Sequence, residues 1–181
     1  MRAKWVSMLV VTAAAGAACG AGRAIFVVDV ESFIKGSGQD TIPYYVPPGS
    51  VSASNVPQRV RLPGAAASIV DSVTVVGTLD VRNQSGTGSI GLALYVAADS
   101  AGSYSGSALA LNVPAKAVSG TGTVQDTIRG RLAPGADSLF RHDEVWFRLQ
   151  ATGTNSGATL MQGRAVLTSL QLTVVIDDKI F

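Results

Sequence analysis

Val73-Thr74-Val75-Val76-Gly77-Thr78-Leu79-Asp80-Val81-Arg82-Asn83 is the stretch on which the fold turns. Val73, Val75, Gly77, Leu79 and Val81 fall on one side of an extended chain. Thr74, Val76, Thr78, Asp80 and Arg82 fall on the other. Successive side chains of a strand point to opposite faces, so this period of two describes a half-buried antiparallel strand. Further runs repeat the pattern. Ile90, Leu92, Leu94 and Val96 alternate with Ser89, Gly91, Ala93 and Tyr95, and Val145, Phe147, Leu149 and Ala151 alternate with Trp146, Arg148, Gln150 and Thr152. Near the end, Val166, Thr168, Leu170, Leu172, Val174 and Ile176 are expected on one face of a long strand.

Weaker strand signals lie at 25–34, 42–46, 59–62, 108–113 and 124–132. Turn residues separate them. Gln84-Ser85-Gly86-Thr87-Gly88 reads as a hairpin, and Ser119-Gly120-Thr121-Gly122 and Gly153-Thr154-Asn155-Ser156-Gly157 read as loops. Pro43, Pro47, Pro48, Pro57 and Pro63 cluster, and Pro removes a ladder donor, so this region is expected at a sheet edge. No helical period stands out beyond the N-terminal segment. The expected fold is all-β: an antiparallel β-sandwich of about eight or nine strands, preceded by a hydrophobic N-terminal segment.

The chain has 181 residues, 47% apolar and 14% charged, which fits one packed domain and argues against disorder. Its pI of about 8.9 owes its excess to Arg2 and Lys4. From Cys19 onward there are 12 basic and 12 acidic residues, so the body has no electrostatic footprint for nucleic acid. Cys19 is the only cysteine, which rules out an intramolecular disulfide.

Residues 1–22, MRAKWVSMLVVTAAAGAACGAG, have a basic start, an apolar run and small residues around Cys19. That is the layout of an export signal, leaving 23–181 as the exported domain. Ala17-Ala18-Cys19-Gly20 resembles the cleavage box of bacterial lipoproteins, although Gly16 stands where that family usually has Leu. The resemblance implies that the Cys19 thiol is lipidated and becomes the mature N-terminus. A competing reading keeps Trp5–Gly22 as an uncleaved membrane helix, about 27 Å long at 1.5 Å per residue. Plain secretion is a third. Under the first two, the N-terminal segment tethers the domain to a membrane, facing the periplasm or cell surface.

Catalytic signals are weak. His142, the only histidine, stands in Arg141-His142-Asp143-Glu144, where a base oriented by a carboxylate is weighed against a polar lead-in to the Val145 strand. The lead-in is favoured, because the nucleophile turn G-x-S-x-G is absent. Gly102-Ser103-Tyr104-Ser105-Gly106 has Tyr at its centre. Gly86-Thr87-Gly88-Ser89-Ile90-Gly91 matches G-x-G-x-x-G, but a strand rather than a helix follows. One His and one Cys far apart make a zinc site implausible. Asp177-Asp178 points to opposite faces of a strand, whereas Asp40 and Asp99 lie in loops, from which the fold could bring them into a calcium site. A terminal Phe181 raises an outer-membrane barrel, but Lys179 and Asp177 occupy positions that should be apolar there. No cofactor, metal or catalytic residue is expected.

Binding fits better. Tyr44 and Tyr45 in the Pro-rich segment, with Trp146 and Arg148 on the polar face of their strand, are the candidate contact residues. The leading expectation is a non-enzymatic, membrane-tethered accessory or scaffold subunit with a protein partner in a membrane complex, whether envelope, secretion, respiratory or photosynthetic. The alternative is a surface lipoprotein that binds a carbohydrate or protein ligand through exposed aromatics. Mass spectrometry of the N-terminal peptide separates the leader readings: lipoprotein processing yields a lipidated Cys19 as first residue, and an uncleaved anchor retains the sequence before it.

Overall fold

The computed structural model describes residues 22–61, 69–132, 139–140 and 142–178. The leader with Cys19 lies outside them, as do Arg141 and Phe181. Two antiparallel sheets pack face to face, which makes the fold an all-β sandwich. The strands are β1 (Gly22–Asp29), β2 (Thr41–Val46), β3 (Gly49–Ser54), β4 (Gln58–Arg61), β5 (Ile69–Ser85), β6 (Thr87–Ala97), β7 (Leu109–Ser119), β8 (Gly122–Arg131), β9 (Glu144–Asn155) and β10 (Met161–Asp178). That is one more than the upper count expected.

The first sheet runs β1-β10-β5-β8, and β2 also pairs with β10. β2 takes Met161–Val166 and β1 takes Gln171–Asp178, so two short strands lie end to end along one edge of β10. The second sheet runs β3-β9-β6-β7 with the same device: β3 pairs with Gln150–Asn155 of β9 and β4 with Glu144–Phe147. The Pro-rich region therefore supplies edge strands: Pro43 lies in β2, Pro47, Pro48 and Pro57 fall in the connections, and Pro63 lies outside the described residues.

The alternations predict the core. Val75, Leu79, Leu94, Phe147, Leu170 and Leu172 are each 4% exposed or less and fill the space between the sheets. Gly86 closes the β5–β6 hairpin at φ 78 and Gly120 the β7–β8 turn at φ 58, left-handed values that favour glycine.

Four expectations need correction. The stretch 25–34 is not one strand: β1 ends at Asp29, and Val30–Gly36 forms the short helix α1. Asp29 stops the strand because its carboxylate accepts from the Ser32 N–H (3.4 Å) and Oγ (2.5 Å), capping the helix. Glu31 and Lys35 pair one turn apart at 3.4 Å, and Val30 and Ile34 turn into the core. The stretch 153–157 is not all loop, since β9 continues to Asn155. The tyrosines of β2 separate, because adjacent residues of a strand face opposite ways: Tyr44 is buried and Tyr45 exposed.

The fourth correction concerns β10. The pairing steps from Leu167 opposite Leu79 to Ser169 opposite Thr78, so Thr168 is the extra residue of a β-bulge. Ala165 and Leu167 are buried before it; Leu170, Leu172, Val174 and Ile176 after it. Val166 and Thr168 thus leave the face shared by the later residues. Thr78 Oγ1 lies 2.8 Å from both the Thr168 and Ser169 hydroxyls.

The buried Tyr44 hydroxyl donates to Asn83 Oδ1 at 2.9 Å, and Asn83 Nδ2 donates to the Gly86 and Gly120 carbonyls. Burial pushes the Tyr44 phenol from 10.0 up to about 12. A folded-state value above the unfolded one makes this contribution complete below pH 10 and progressively lost as pH rises toward 12. Chemical denaturation of wild type and Tyr44→Phe across that window should show a steeper loss for wild type; parallel slopes would refute the assignment.

Candidate functional site

The outer face of the second sheet carries the largest cluster of polar and aromatic side chains foreseen by the sequence. On β9 the inward residues Val145, Phe147, Leu149 and Ala151 are buried, which turns Trp146, Arg148, Gln150, Thr152 and Thr154 outward. Register sets Arg148 opposite Tyr95, Gln150 opposite Ala93, Thr152 opposite Gly91 and Thr154 opposite Ser89 of β6. Trp146 faces Ala97 on one side and Arg59 of β4 on the other.

The connection from β6 to β7 folds back over this face. Its centre is a 3-10 turn at Gly102–Tyr104, begun where Asp99 Oδ1 accepts the Gly102 N–H at 2.6 Å. Ser103 is fully buried, and its Oγ donates to the Ser100 carbonyl at 2.7 Å. Arg148 fastens the turn to the sheet. Its Nε and Nη2 donate to the Ser103 carbonyl at 3.0 and 2.8 Å, and Nη1 reaches Gln150 Oε1 at 3.5 Å. Its Cζ lies 4.1 Å from the Tyr95 ring centroid and 4.6 Å from that of Tyr104.

The chemistry explains why arginine stands here. The side chain is 6% exposed, and a buried guanidinium needs acceptors for its planar donors and a polarisable surface for its faces. One carbonyl, one amide oxygen and two aromatic rings provide both. Lysine, with a compact charge and no planar fork, has no equivalent arrangement. Because Arg148 holds the turn, Tyr104 is fixed with its side chain 58% exposed. Tyr95 and Trp146 are half-buried on the same face. Farther along, Ser50 and Ser52 of β3 meet Thr154 and Thr152 at 3.0 and 2.9 Å, forming two rows of exposed hydroxyls.

Of the residues singled out by sequence, Trp146 and Arg148 therefore share one face. Tyr45, 65% exposed, sits on β2 in the other sheet, and Tyr44 lies in the core. Tyr44, Tyr45 and Trp146 do not converge on one patch, which counts against a ligand held by those three; Tyr95 and Tyr104 flank Arg148 instead. Tyr95 was legible as the polar-side neighbour of Leu94 and Val96. Tyr104 carried no period, only its place amid a glycine-serine turn.

His142 is exposed, and the neighbouring Glu144 is held by Arg59 and Arg61 at 3.2 and 3.3 Å. Gly86–Gly91 forms a hairpin turn and the start of β6, with no helix to receive a phosphate. Asp40 contributes its backbone carbonyl to Leu167 N–H at 2.8 Å. Among the described residues, no three His, Cys, Asp or Glu side chains are grouped to hold a metal.

No family model and no curated protein sequence matches the chain. Among solved structures it is similar to the Gx strain of infectious bursal disease virus, at 14% identity over 88% of this chain and 33% of that one, TM-score 0.43. It is also similar to a mutant VP2 protein of that virus from T=1 particles, at 13% identity over 86% and 35%, TM-score 0.43. A carbohydrate-binding module solved with beta-1,4-galactotriose matches at 16% identity over 82% and 80%, TM-score 0.31. The chain spans about a third of the length of the viral chains it matches. At such identities and TM-scores, no residue or role transfers from these proteins.

Replacing Arg148 by Ala leaves the Ser103 carbonyl without its donors and removes the stack between the two tyrosines. A loss of roughly 2–3 kcal/mol is expected, with faster amide exchange across 98–108. Arg148→Lys should recover little of it. Exchange that stays slow in that connection in both variants would show that the turn is held by its own serine and aspartate bonds.

Proposed function

We propose that the chain is a non-enzymatic docking module, exported and held at a membrane by its N-terminal segment through Cys19. It serves as an accessory or scaffold subunit of a larger membrane protein complex. The observation behind this reading is the Arg148 stack, which holds Tyr95 and Tyr104 on the sheet face that also carries Trp146. Aromatic residues and arginine are enriched where protein partners bind tightly. Rigid presentation also lowers the ordering entropy lost on docking.

A second reading has its own support. Tyr104 offers an aromatic ring for a sugar to stack on, and the Ser50–Thr154 and Ser52–Thr152 rows offer neutral donors and acceptors. Under this reading the module binds a carbohydrate at the membrane surface.

Size fractionation of mildly solubilised membranes from the source cells tests the first reading. Wild type should travel with a particle far larger than its own 18.5 kDa and stay there through salt washing. Tyr104→Ala/Trp146→Ala should leave that particle while remaining folded and membrane-bound. Wild type running free of any larger particle would sink the subunit reading. Retention on an immobilised neutral polysaccharide, lost in the same double variant, would then establish the second.

A further inference from the structure

Of the contact residues foreseen by sequence, Tyr45 is exposed yet stands apart from the aromatic face of the second sheet. Its neighbours are set by the registers of the first sheet. β10 places Gln162 opposite Tyr45 and Arg164 opposite Pro43. β5 places Arg82 opposite Arg164, and β8 places Thr123 beyond Arg82. All of these side chains alternate with inward residues, so they share the outer face of the sheet.

Charge is unbalanced at this corner. Arg82 and Arg164 face each other directly, and like charges so placed repel. Asp80, two residues before Arg82, binds its Nη2 at 3.1 Å. A guanidinium has five N–H donors, so that contact leaves most of the Arg82 fork unused. Arg164 is exposed, and among the described residues no carboxylate lies within ion-pair distance of it.

The platform beneath is fixed. Tyr44, Gly163 and Asn83 lie opposite one another on β2, β10 and β5, and the Tyr44–Asn83 hydrogen bond closes this inward row at 2.9 Å. A Cβ on Gly163 would collide with the Tyr44 hydroxyl and the Arg82 carbonyl, so the glycine lets the strands close over the joint. Tyr45, Arg164 and Arg82 each sit one residue from that row. Their backbones are therefore held in place before any ligand arrives, which lowers the ordering cost of binding.

We infer that this corner binds an acidic saccharide, a uronate-bearing glycan lying across β2, β10 and β5. A carboxylate matches the planar forks of Arg164 and Arg82. The Tyr45 ring, on a residue 65% exposed, offers a flat apolar face to a pyranose. Gln162 and Thr123 offer neutral donors and acceptors to its hydroxyls. An acidic peptide fits less well, because peptides bound on sheets add to an open edge, and both arginines lie on strands paired on each side. A bilayer also fits less well: the apolar N-terminal segment joins the fold at Gly22, opposite Asp178 and roughly 45 Å along β10 from Arg164. The inference is independent of what the aromatic face of the second sheet binds.

Retention of the full chain, in detergent solution, on immobilised polygalacturonate and alginate tests it. Wild type should be held by at least one polymer and released when the carboxylates of that polymer are esterified. Arg164→Gln, which breaks no ion pair among the described residues, should weaken binding about ten-fold, as should Tyr45→Ala. Asp80→Asn frees the Arg82 fork and should tighten binding about three-fold, a gain that a purely structural role would not give. Tyr104→Ala/Trp146→Ala should bind like wild type, which separates this corner from the aromatic face. No retention on either polymer, or binding unchanged by Arg164→Gln, would overturn the proposal. So would an Arg164-dependent affinity for poly-glutamate or phosphatidylglycerol vesicles equal to that for the polysaccharide.

Discussion

An 18-residue strand, β10, borders three others in the first sheet, and its bulge at Thr168, one of three register shifts against β5, lets it do so while staying apolar on the inside. In a regular strand, the parity that buries Ala165 and Leu167 would also bury Ser169, Gln171 and Thr173. The extra residue resets the phase, so Leu170, Leu172, Val174 and Ile176 face the second sheet instead. Gly77 of β5 lies opposite Leu170, and a side chain there would place its Cβ 2.6 Å from the Ser169 carbonyl. The glycine at the centre of the fold-deciding stretch is thus the space into which the bulge settles. β2 pairs before the bulge and β1 after it, so the two edge strands meet differently phased halves of one partner.

With one cysteine in the sequence, the domain has no internal disulfide, and three buried asparagines tie its ends together instead. Asn155 of β9 donates to the Val46 carbonyl of β2 at 2.9 Å, crossing from one sheet to the other, and also accepts from Gly157. Asn83 joins Tyr44 to the β5–β6 and β7–β8 turns. Asn55 accepts the Leu149 N–H at 2.8 Å and donates to the Gln39 carbonyl. An amide offers donor and acceptor from one short side chain, which suits it to join backbone groups that no ladder can pair. Such joints depend on burial: each bond is strong because water is kept away from it.

The sandwich was legible because one face of each strand is buried, and burial writes a period of two into the sequence. Trp146 and Arg148 followed from the same alternation. Helix α1 did not, since seven residues make fewer than two full turns and its apolar residues continue the pattern of β1. The bulge was hidden because a parity change looks like two imperfect patterns rather than one shifted one. Tyr44 and Tyr45 could have been parted by Ile42, Tyr44 and Val46, which mark the buried side of β2. Tyr104 was beyond such reasoning: its position depends on a turn held by Arg148, a contact between residues 44 apart in the chain.

The two sheets have opposite outer chemistries, and the cause lies in how each manages its exposed surface. On the second sheet, a connection folds back and spends a buried arginine to hold aromatic rings at one end, leaving hydroxyls and small residues over the rest. On the first, Arg82 and Asp80 pair at 3.1 Å and the bulge hydroxyls bond one another, so the middle of the sheet is satisfied by itself. Its exposed aliphatic residues are Ile25 and Val27 on β1 and Val76 in the middle of the sheet, on β5. A flat sheet face has no free ladder and can gain only through side chains. A partner on either outer face therefore meets side chains: fixed rings and hydroxyls on the second sheet, aliphatics set between self-satisfied polar pairs on the first.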